Sequence, residues 1–296
     1  MNFNKIGGIR MDLQKWTELI TAIEYGSLTA AAEHLGYTLS GISRSIASLE
    51  KETGFALLHR GKKGVHPTKE CEKILPYVRE LLFSANRLLQ ATASVRGGEE
   101  GIIGIGTAYR HYYRWLTKVT SEFHALHPGV NFRIYNGTST EFADQLKLHQ
   151  IDFGFISART GSHSWYPICH DELVALLPID HTFAKQDKIP LEAFRTEPYI
   201  ATCPGLDIDS SRFFEKHGFR PNIQFSSMDI QATYAMVEAG MGISITNTIN
   251  SLTSYDGICH RAIEPTEVIE IGLACSDRLP PAAHAFLEFI LPQLPK

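Results

Sequence analysis

Short hydroxyl side chains and cations recur on one face of a predicted helix, at Ser40, Ser43, Arg44 and Lys51, with Ala47 between them. Small residues let a helix enter a major groove, and hydroxyls with an arginine donate to base edges and phosphates. Just downstream, His59-Arg60-Gly61-Lys62-Lys63-Gly64 gathers Arg60, Lys62 and Lys63 around glycines. That is the composition of a basic hairpin tip, suited to clamping phosphate or the minor groove. A second group of hydroxyls follows predicted strands: Thr107 and Tyr109, Thr138 and Ser139, Thr202, and Thr246. Hydroxyls and backbone amides at helix starts suit carboxylates and other anions, and Arg110 and Arg114 could add counter-charge. Taken one at a time, these residues are better accounted for as ordinary caps and surface arginines.

The elements that must position the first group are short helices. Asp12 can cap a helix whose Leu13, Trp16, Leu19, Ile20 and Ile23 recur at helical spacing, ended by Gly26. Ser27 offers a second cap before the alanine-rich Leu28 to Leu35, closed by Gly36, where small residues let another helix approach. After the turn Gly36-Tyr37-Thr38, a third helix is predicted over Leu39 to Thr53, with Leu39, Ile42, Ile46 and Leu49 on its inner face. Two helices joined by so short a turn form a helix-turn-helix pattern, with a polar-surfaced three-helix bundle as the alternative. Thr68 then caps a helix to about Ser94, with Pro76 inside it as a kink. Its stripe of Ile74, Tyr77, Val78, Leu81, Leu82, Leu88 and Leu89 is too long for one helix to bury alone and points to a second chain.

From Gly101 the pattern changes. Ile102 to Gly106, Val130 to Tyr135 and Ile151 to Ile156 read as strands separated by helices near 110–126 and 139–149, a parallel βαβαβ unit. A second set has strands near 173–177, 199–201, 223–225 and 243–246 and helices near 210–217 and 230–239. The chain then returns to a strand near 268–274 and a helix near 282–291. Two α/β halves, linked by crossings near 160–170 and 260–267, would leave a ligand cleft at strand carboxyl ends.

Other chemistry is weaker. Gly104-Ile105-Gly106 and Gly240-Met241-Gly242 hint at dinucleotide turns, but Tyr109 and Ile245 stand where the third glycine belongs. No G-x-x-x-x-G-K-[ST], H-E-x-x-H or G-x-S-x-G pattern occurs, so no catalytic constellation is expected and no cofactor. His124 and His127 read as solvated or core histidines. If the two crossings lay side by side, Cys169-His170 and Cys259-His260 could approach tetrahedral zinc geometry, although strand alternation points Cys and His to opposite faces. Cys203 could serve a redox switch, but it has no neighbouring cysteine and reads as an inert thiol.

Composition bounds the rest. The 296 residues are 44% hydrophobic and 20% charged, the profile of a globular chain with material for two or three cores. No apolar run approaches the roughly 18 residues of a membrane span, and no secretory h-region occupies the first ten residues. The five cysteines form no C-x-x-C pair, so a soluble cytoplasmic protein with reduced thiols is expected. A net charge of −4 hides an asymmetry: the first 100 residues carry 13 basic against 11 acidic side chains, and the remaining 196 carry 15 against 21. Nucleic-acid contact is expected of the front end only.

These N-terminal residues match a longer pattern. The run Gly26-Ser27-Leu28-Thr29-Ala30-Ala31-Ala32-x-x-Leu35 is followed by Ser40-x-x-Ser43-Arg44-x-Ile46-x-x-Leu49-Glu50-x-x-x-Gly54-x-x-Leu57-Leu58-x-Arg60 and Pro67-Thr68. Together they closely resemble the winged helix-turn-helix signature of LysR-type transcriptional regulators. Further along, Pro128-Gly129-Val130, Ile151-Asp152-Phe153-Gly154 and Val237-Glu238-Ala239-Gly240-Met241-Gly242-Ile243 are similar to that family's effector-binding domain. The resemblance implies an α plus α/β chain: an N-terminal extension at 1–10, a winged helix-turn-helix domain at 11–68, a dimerising linker helix at 69–95, and a two-subdomain, Rossmann-like (periplasmic-binding-protein-like) effector domain at 100–296. Subdomain I would comprise about 100–165 and 266–296, and subdomain II about 166–265.

The same resemblance assigns phosphate and base contacts to Ser27, Thr29, Thr38, Ser40, Ser43 and Arg44, and wing contacts to Arg60, Lys62 and Lys63. It implies double-stranded DNA with dyad symmetry as partner, a small-molecule effector in the cleft, a homodimer or homotetramer, and RNA polymerase where the chain activates transcription; the hydroxyls and amides named above make an anionic effector the expectation. The sequence departs from the family at Cys71 (usually glycine), Leu58 (commonly phenylalanine), Gly41, and Thr246-Asn247 where a proline is frequent. The competing reading is a solute-binding α/β protein, or an enzyme built on one, whose front helices serve oligomerisation. Such a protein would not be retained on heparin.

Overall fold

The computed structural model describes residues 12–61, 64–95, 100–161, 163–250 and 255–295. It divides into two compact units, the first ending at Thr92 and the second running from Ala93.

In the first unit, Asp12 caps α1 (Leu13–Glu24) by accepting from the Gln14 amide. Ser27 caps α2 (Leu28–Leu35), which ends at Gly36 in the left-handed region. Thr38 caps α3 (Leu39–Thr53), closed by the left-handed Gly54. Trp16, Leu19, Ala31, Ala32, Ile42, Ile46 and Leu49 of these helices share one buried cluster. The Glu50 carboxylate then accepts from the Leu57 and Leu58 amides at 2.8 and 3.3 Å, fixing where the wing leaves the helices. The wing is a hairpin of β1 (Leu58–Gly61) and β2 (Gly64–Pro67), with Gly61 opposite Gly64. Val65 donates to the Gly26 carbonyl at 2.9 Å, docking the wing on the turn between α1 and α2. At Gly64 the φ is +100°, and a Cβ would lie 2.3 Å from that same carbonyl, so the contact demands glycine.

Helix α4 (Lys69–Val95) continues through Pro76. Its first turns join the unit's core through Cys71, Leu75 and Val78. Cys71 is fully buried, and burial pushes its thiol up to about 11. Farther along, Tyr77, Leu88 and Leu89 are about 70% exposed, at 72%, 68% and 69%.

The second unit opens with β3 (Gly101–Thr107), α5 (Tyr113–Leu126), β4 (Val130–Asn136), α6 (Ser139–Lys147) and β5 (Phe153–Ser157). Strand β3 pairs parallel with both β4 and β5, which gives the expected βαβαβ unit. Next come β6 (His163–Pro178), β7 (Lys188–Pro190), the single-turn α7 (Ala193–Thr196), β8 (Tyr199–Thr202), α8 (Asp209–Lys216), β9 (Ile223–Ser227), α9 (Ile230–Glu238), β10 (Ser244–Asn247), β11 (Ile258–Glu264), β12 (Val268–Ser276) and α10 (Pro281–Ile290). One sheet runs β4-β3-β5-β12-β6-β11-β7, with β10 also on β6, and β8-β9 form a separate ribbon.

The segments expected to be crossings are strands. Residues 163–172 of β6 pair with β12, and 173–178 pair with β10 and β11, so one strand carries the chain through both halves. Two cores flank it. Ile103, Leu116, Phe123, Phe153, Phe155 and Phe286 fill the first, and Leu173, Ile189, Phe194, Tyr199, Phe213 and Ile263 the second.

This register separates the two Cys-His pairs. Cys169 lies opposite Ile271, whereas Cys259 lies opposite Leu177, eight residues farther along β6 or about 26 Å at strand rise. Among the described residues, no group of three or more His, Cys, Asp and Glu side chains could hold a metal ion. The Gly-x-Gly turns also have a packing explanation. A Cβ at Gly106 would sit 2.3 Å from the Phe142 ring, and one at Gly242 would sit 2.3 Å from the Pro198 carbonyl. No helix among the described residues is long and apolar enough to cross a membrane.

Candidate functional site

Two groups of side chains stand where chemistry with a partner can occur. In the first unit the outer face of α3 carries exposed Ser40 and Arg44 and half-buried Ser43. Thr38 caps the helix by accepting from Gly41 at 3.1 Å, and its hydroxyl lies 3.2 Å from that of Ser40. Arg44 Nε donates to the Ser40 carbonyl at 3.1 Å, holding the side chain along the helix face. Arg60 reaches from β1 to donate to Ser43 Oγ at 3.0 Å, and it lies 3.8 Å from the Glu50 carboxylate. The wing and α3 are therefore joined through two of the residues expected to touch nucleic acid. Thr29 is exposed on α2, and Ser27 Oγ accepts from Ala30 at 3.3 Å. Lys62 and Lys63 lie outside the described residues.

In the second unit a cavity of about 140 Å³ lies at the carboxyl ends of β3, β4, β8 and β10. Its lining includes Tyr109, Thr138, Ser139, Thr202 and Thr246, but not Thr107. Thr107 is fully buried; its hydroxyl accepts from the Tyr109 amide at 3.1 Å and donates to the Tyr109 carbonyl at 2.9 Å. It orients Tyr109 without touching the cavity. Thr138 is one half of a capping box with Glu141. Thr202 and Thr246 are each paired inside the fold, with Thr233 at 3.0 Å and Tyr234 at 3.3 Å.

Arg110 lies at the cavity and pairs with Asp229 at 2.8 Å. The α9 amide of Ala232 and then Arg110 hold the Asp229 carboxyl below the usual carboxylate range. Cys203 also lines the cavity, and burial followed by the charges of Glu141 and Asp229 raises its thiol pKa. That environment disfavours the thiolate needed for redox chemistry.

The residues that sequence reasoning missed are Ser157, Arg159, Asp209 and Asn247. Asp209 Oδ2 accepts from Tyr109 Oη at 2.7 Å and from Asn247 Nδ2 at 3.3 Å. Its Oδ1 accepts from Ser157 Oγ at 2.6 Å and from Arg159 at 3.1 Å. Burial and the Asp209 charge raise the Tyr109 pKa well above its ordinary value, so the phenol stays a donor. Ser157 and Asn247 end strands β5 and β10 and Arg159 lies two residues past β5, at separations of 52, 38 and 50 residues from Asp209, and only the position of Asp209 at a helix start was legible as chain signal.

The profile of the LysR substrate binding domain matches residues 96–295, and that of the bacterial regulatory helix-turn-helix protein, lysR family, matches residues 13–72. The chain belongs to the LysR family. This LysR regulator is a DNA-binding transcriptional regulator with an effector-binding domain, and it is not an enzyme. Similar to it is the uncharacterized HTH-type regulator YvbU of Bacillus subtilis, 25% identical over 267 residues that cover 89% of this chain and 91% of the relative. A full-length OxyR variant from Pseudomonas aeruginosa shares the fold at a TM-score of 0.66 and 18% identity, over 95% of each chain. So does CbnR solved with its target DNA, at a TM-score of 0.60 and 22% identity, over 95% of this chain and 99% of CbnR.

Proposed function

We propose that the regulator acts in the cytoplasm and reads a dyad operator as a homodimer or a pair of dimers, through Ser40, Ser43 and Arg44 of α3. Ser27, Thr29 and Thr38 would meet phosphates, while Arg60, Lys62 and Lys63 of the wing supply the salt-dependent term. The observation that carries this reading is the shared exposed face on which Arg44 and Ser40 stand beside the Arg60–Ser43 contact. The exposed Tyr77, Leu88 and Leu89 of α4 support a second copy as the partner that covers them. Where the operator overlaps a promoter it activates, RNA polymerase would be the further partner.

Occupancy of the cleft by a small molecule biases the relative placement of the two halves along β6, a population shift that needs different affinities for the two arrangements. The hydroxyls and amides of the cleft support a polar ligand. The donors that suit an anion converge on a carboxylate the chain itself supplies, which counts against the anionic effector expected from the sequence.

The test is titration of the purified protein against its own upstream intergenic DNA at several salt concentrations, with random DNA as competitor. Two protected half-sites are expected. Arg44→Ala should cost about 1–3 kcal/mol at the specific site if it makes a bidentate base contact. Unchanged operator binding by Arg44→Ala would remove α3 as the reading element.

A further inference from the structure

The effector cleft already contains a carboxylate, and its surroundings are those of a bound ligand. Asp209, the first residue of α8, is met by Tyr109 from beyond β3, Ser157 at the end of β5, Arg159 two residues later, and Asn247 at the end of β10. These are two hydroxyls, a guanidinium and an amide, all donors, from elements on both sides of the cleft. Arg159 is itself braced, giving Nε to Thr140 Oγ1 at 3.0 Å and Nη1 to Ser157 Oγ at 2.7 Å. The Arg159 and Asp209 side chains are only 5% and 9% exposed. A planar guanidinium with converging hydroxyls is how proteins receive a free carboxylate. Here the receptor is filled by the chain.

Among the described residues the rest of the cavity offers no second seat of that kind: the lining contains one further charged side chain, Arg110, which is engaged by Asp229. A carboxylate entering beside Asp209 would meet like charge with both neighbouring cations already neutralised.

We propose that Asp209 is a tethered stand-in ligand that fills the anion seat of the cleft, so that the effector of this regulator is an uncharged polar molecule. Tethering gives Asp209 an effective concentration that a free carboxylate cannot match, and the seat therefore excludes carboxylate effectors. The inference rests on the cleft being the effector site. Its readout is ligand binding and stability, so a protein that behaved as expected here yet failed to bind DNA would count against the regulator reading alone.

The experiment empties the seat and offers formate, the free counterpart of the lost group. Full-length wild type, Asp209→Ala and Asp209→Ser are melted in sodium formate and in sodium chloride of equal ionic strength, and formate affinity is measured by calorimetry. Wild type should melt at the same temperature in both salts. Both variants should melt several degrees lower in chloride, recover saturably in formate, and bind formate at least tenfold more tightly than wild type. Adding Arg159→Met should abolish the recovery, and acetate, one methyl larger, should recover less. A formate response in wild type as large as in the variants, or none in either variant, would overturn the proposal. If neither variant folds in chloride, refolding yield in formate becomes the readout: recovery supports the seat, and none refutes it.

Discussion

Removing either partner of the Arg159–Asp209 pair should destabilise the second unit by more than the same removal made after its partner is gone. The pair is 3.1 Å apart with side chains 5% and 9% exposed, so solvent screens it little. Truncating one member of a buried ion pair costs about 3–5 kcal/mol, because an uncompensated charge is left inside. After Arg159→Met, Asp209 keeps Tyr109, Ser157 and Asn247 as donors, which places the cost at the low end, about 3 kcal/mol. Asp209→Asn leaves Arg159 with Thr140, Ser157 and the Ala158 carbonyl as acceptors and should cost a similar amount. The double variant has no stranded charge, so its cost should fall short of the sum by about 2 kcal/mol. Trp16 belongs to the first unit and Trp115 and Trp165 to the second, so urea titration in a Trp16→Phe background reports the second unit by fluorescence. Additive costs, with coupling under about 0.5 kcal/mol, would refute the claim that the two side chains act as one buried pair.

Three further outcomes are expected. Gly64→Ala forces a Cβ to 2.3 Å of the Gly26 carbonyl at a φ of +100°, so the wing should shift and affinity for all DNA should fall; unchanged affinity would show that the wing does not need this docking. Asp152 is buried, and desolvation pushes its carboxyl up to about 6 against an opposing bond from the Gly104 amide. Because that value lies above the unfolded one, ionisation weakens the fold above pH 6. The penalty, about 3 kcal/mol, is relieved as pH falls from 6 towards 4. Asp152→Asn should flatten stability across that window, and an unaltered pH profile in denaturant titrations would be the contrary result. Finally, Leu88→Glu with Leu89→Glu should lower the oligomeric state seen by sedimentation, since both side chains are about 70% exposed on α4.

The first unit was almost wholly legible in the sequence, because its structure is made of local rules. Caps at Asp12, Ser27 and Thr38, left-handed glycines at 36 and 54, and a 3.6-residue apolar period specify three helices within about 40 residues. The first βαβαβ unit was legible for the same reason, as strand and helix periods alternate over short distances. Segments 163–172 and 258–264 were not. Their residues lack a clean apolar alternation, and they become strands because β12 pairs with the first and β6 and β7 with the second, all from far along the chain.

The cleft divides in the same way. Hydroxyls after strands announced themselves, since a strand end followed by a helix start places amides and side-chain oxygens together whatever the rest of the fold does. Thr107, expected among them, is turned inwards because Tyr109 needs its hydroxyl. What no local pattern could reveal is that Asp209, 50 residues from Arg159 and 100 from Tyr109, is carried into their midst. Its surroundings come from strand ends that only the long β6 and the pairing of the two halves bring together. Local propensity and periodicity therefore determine which elements exist and which face each presents, while long-range pairing alone decides which charges meet and what the cleft can accept.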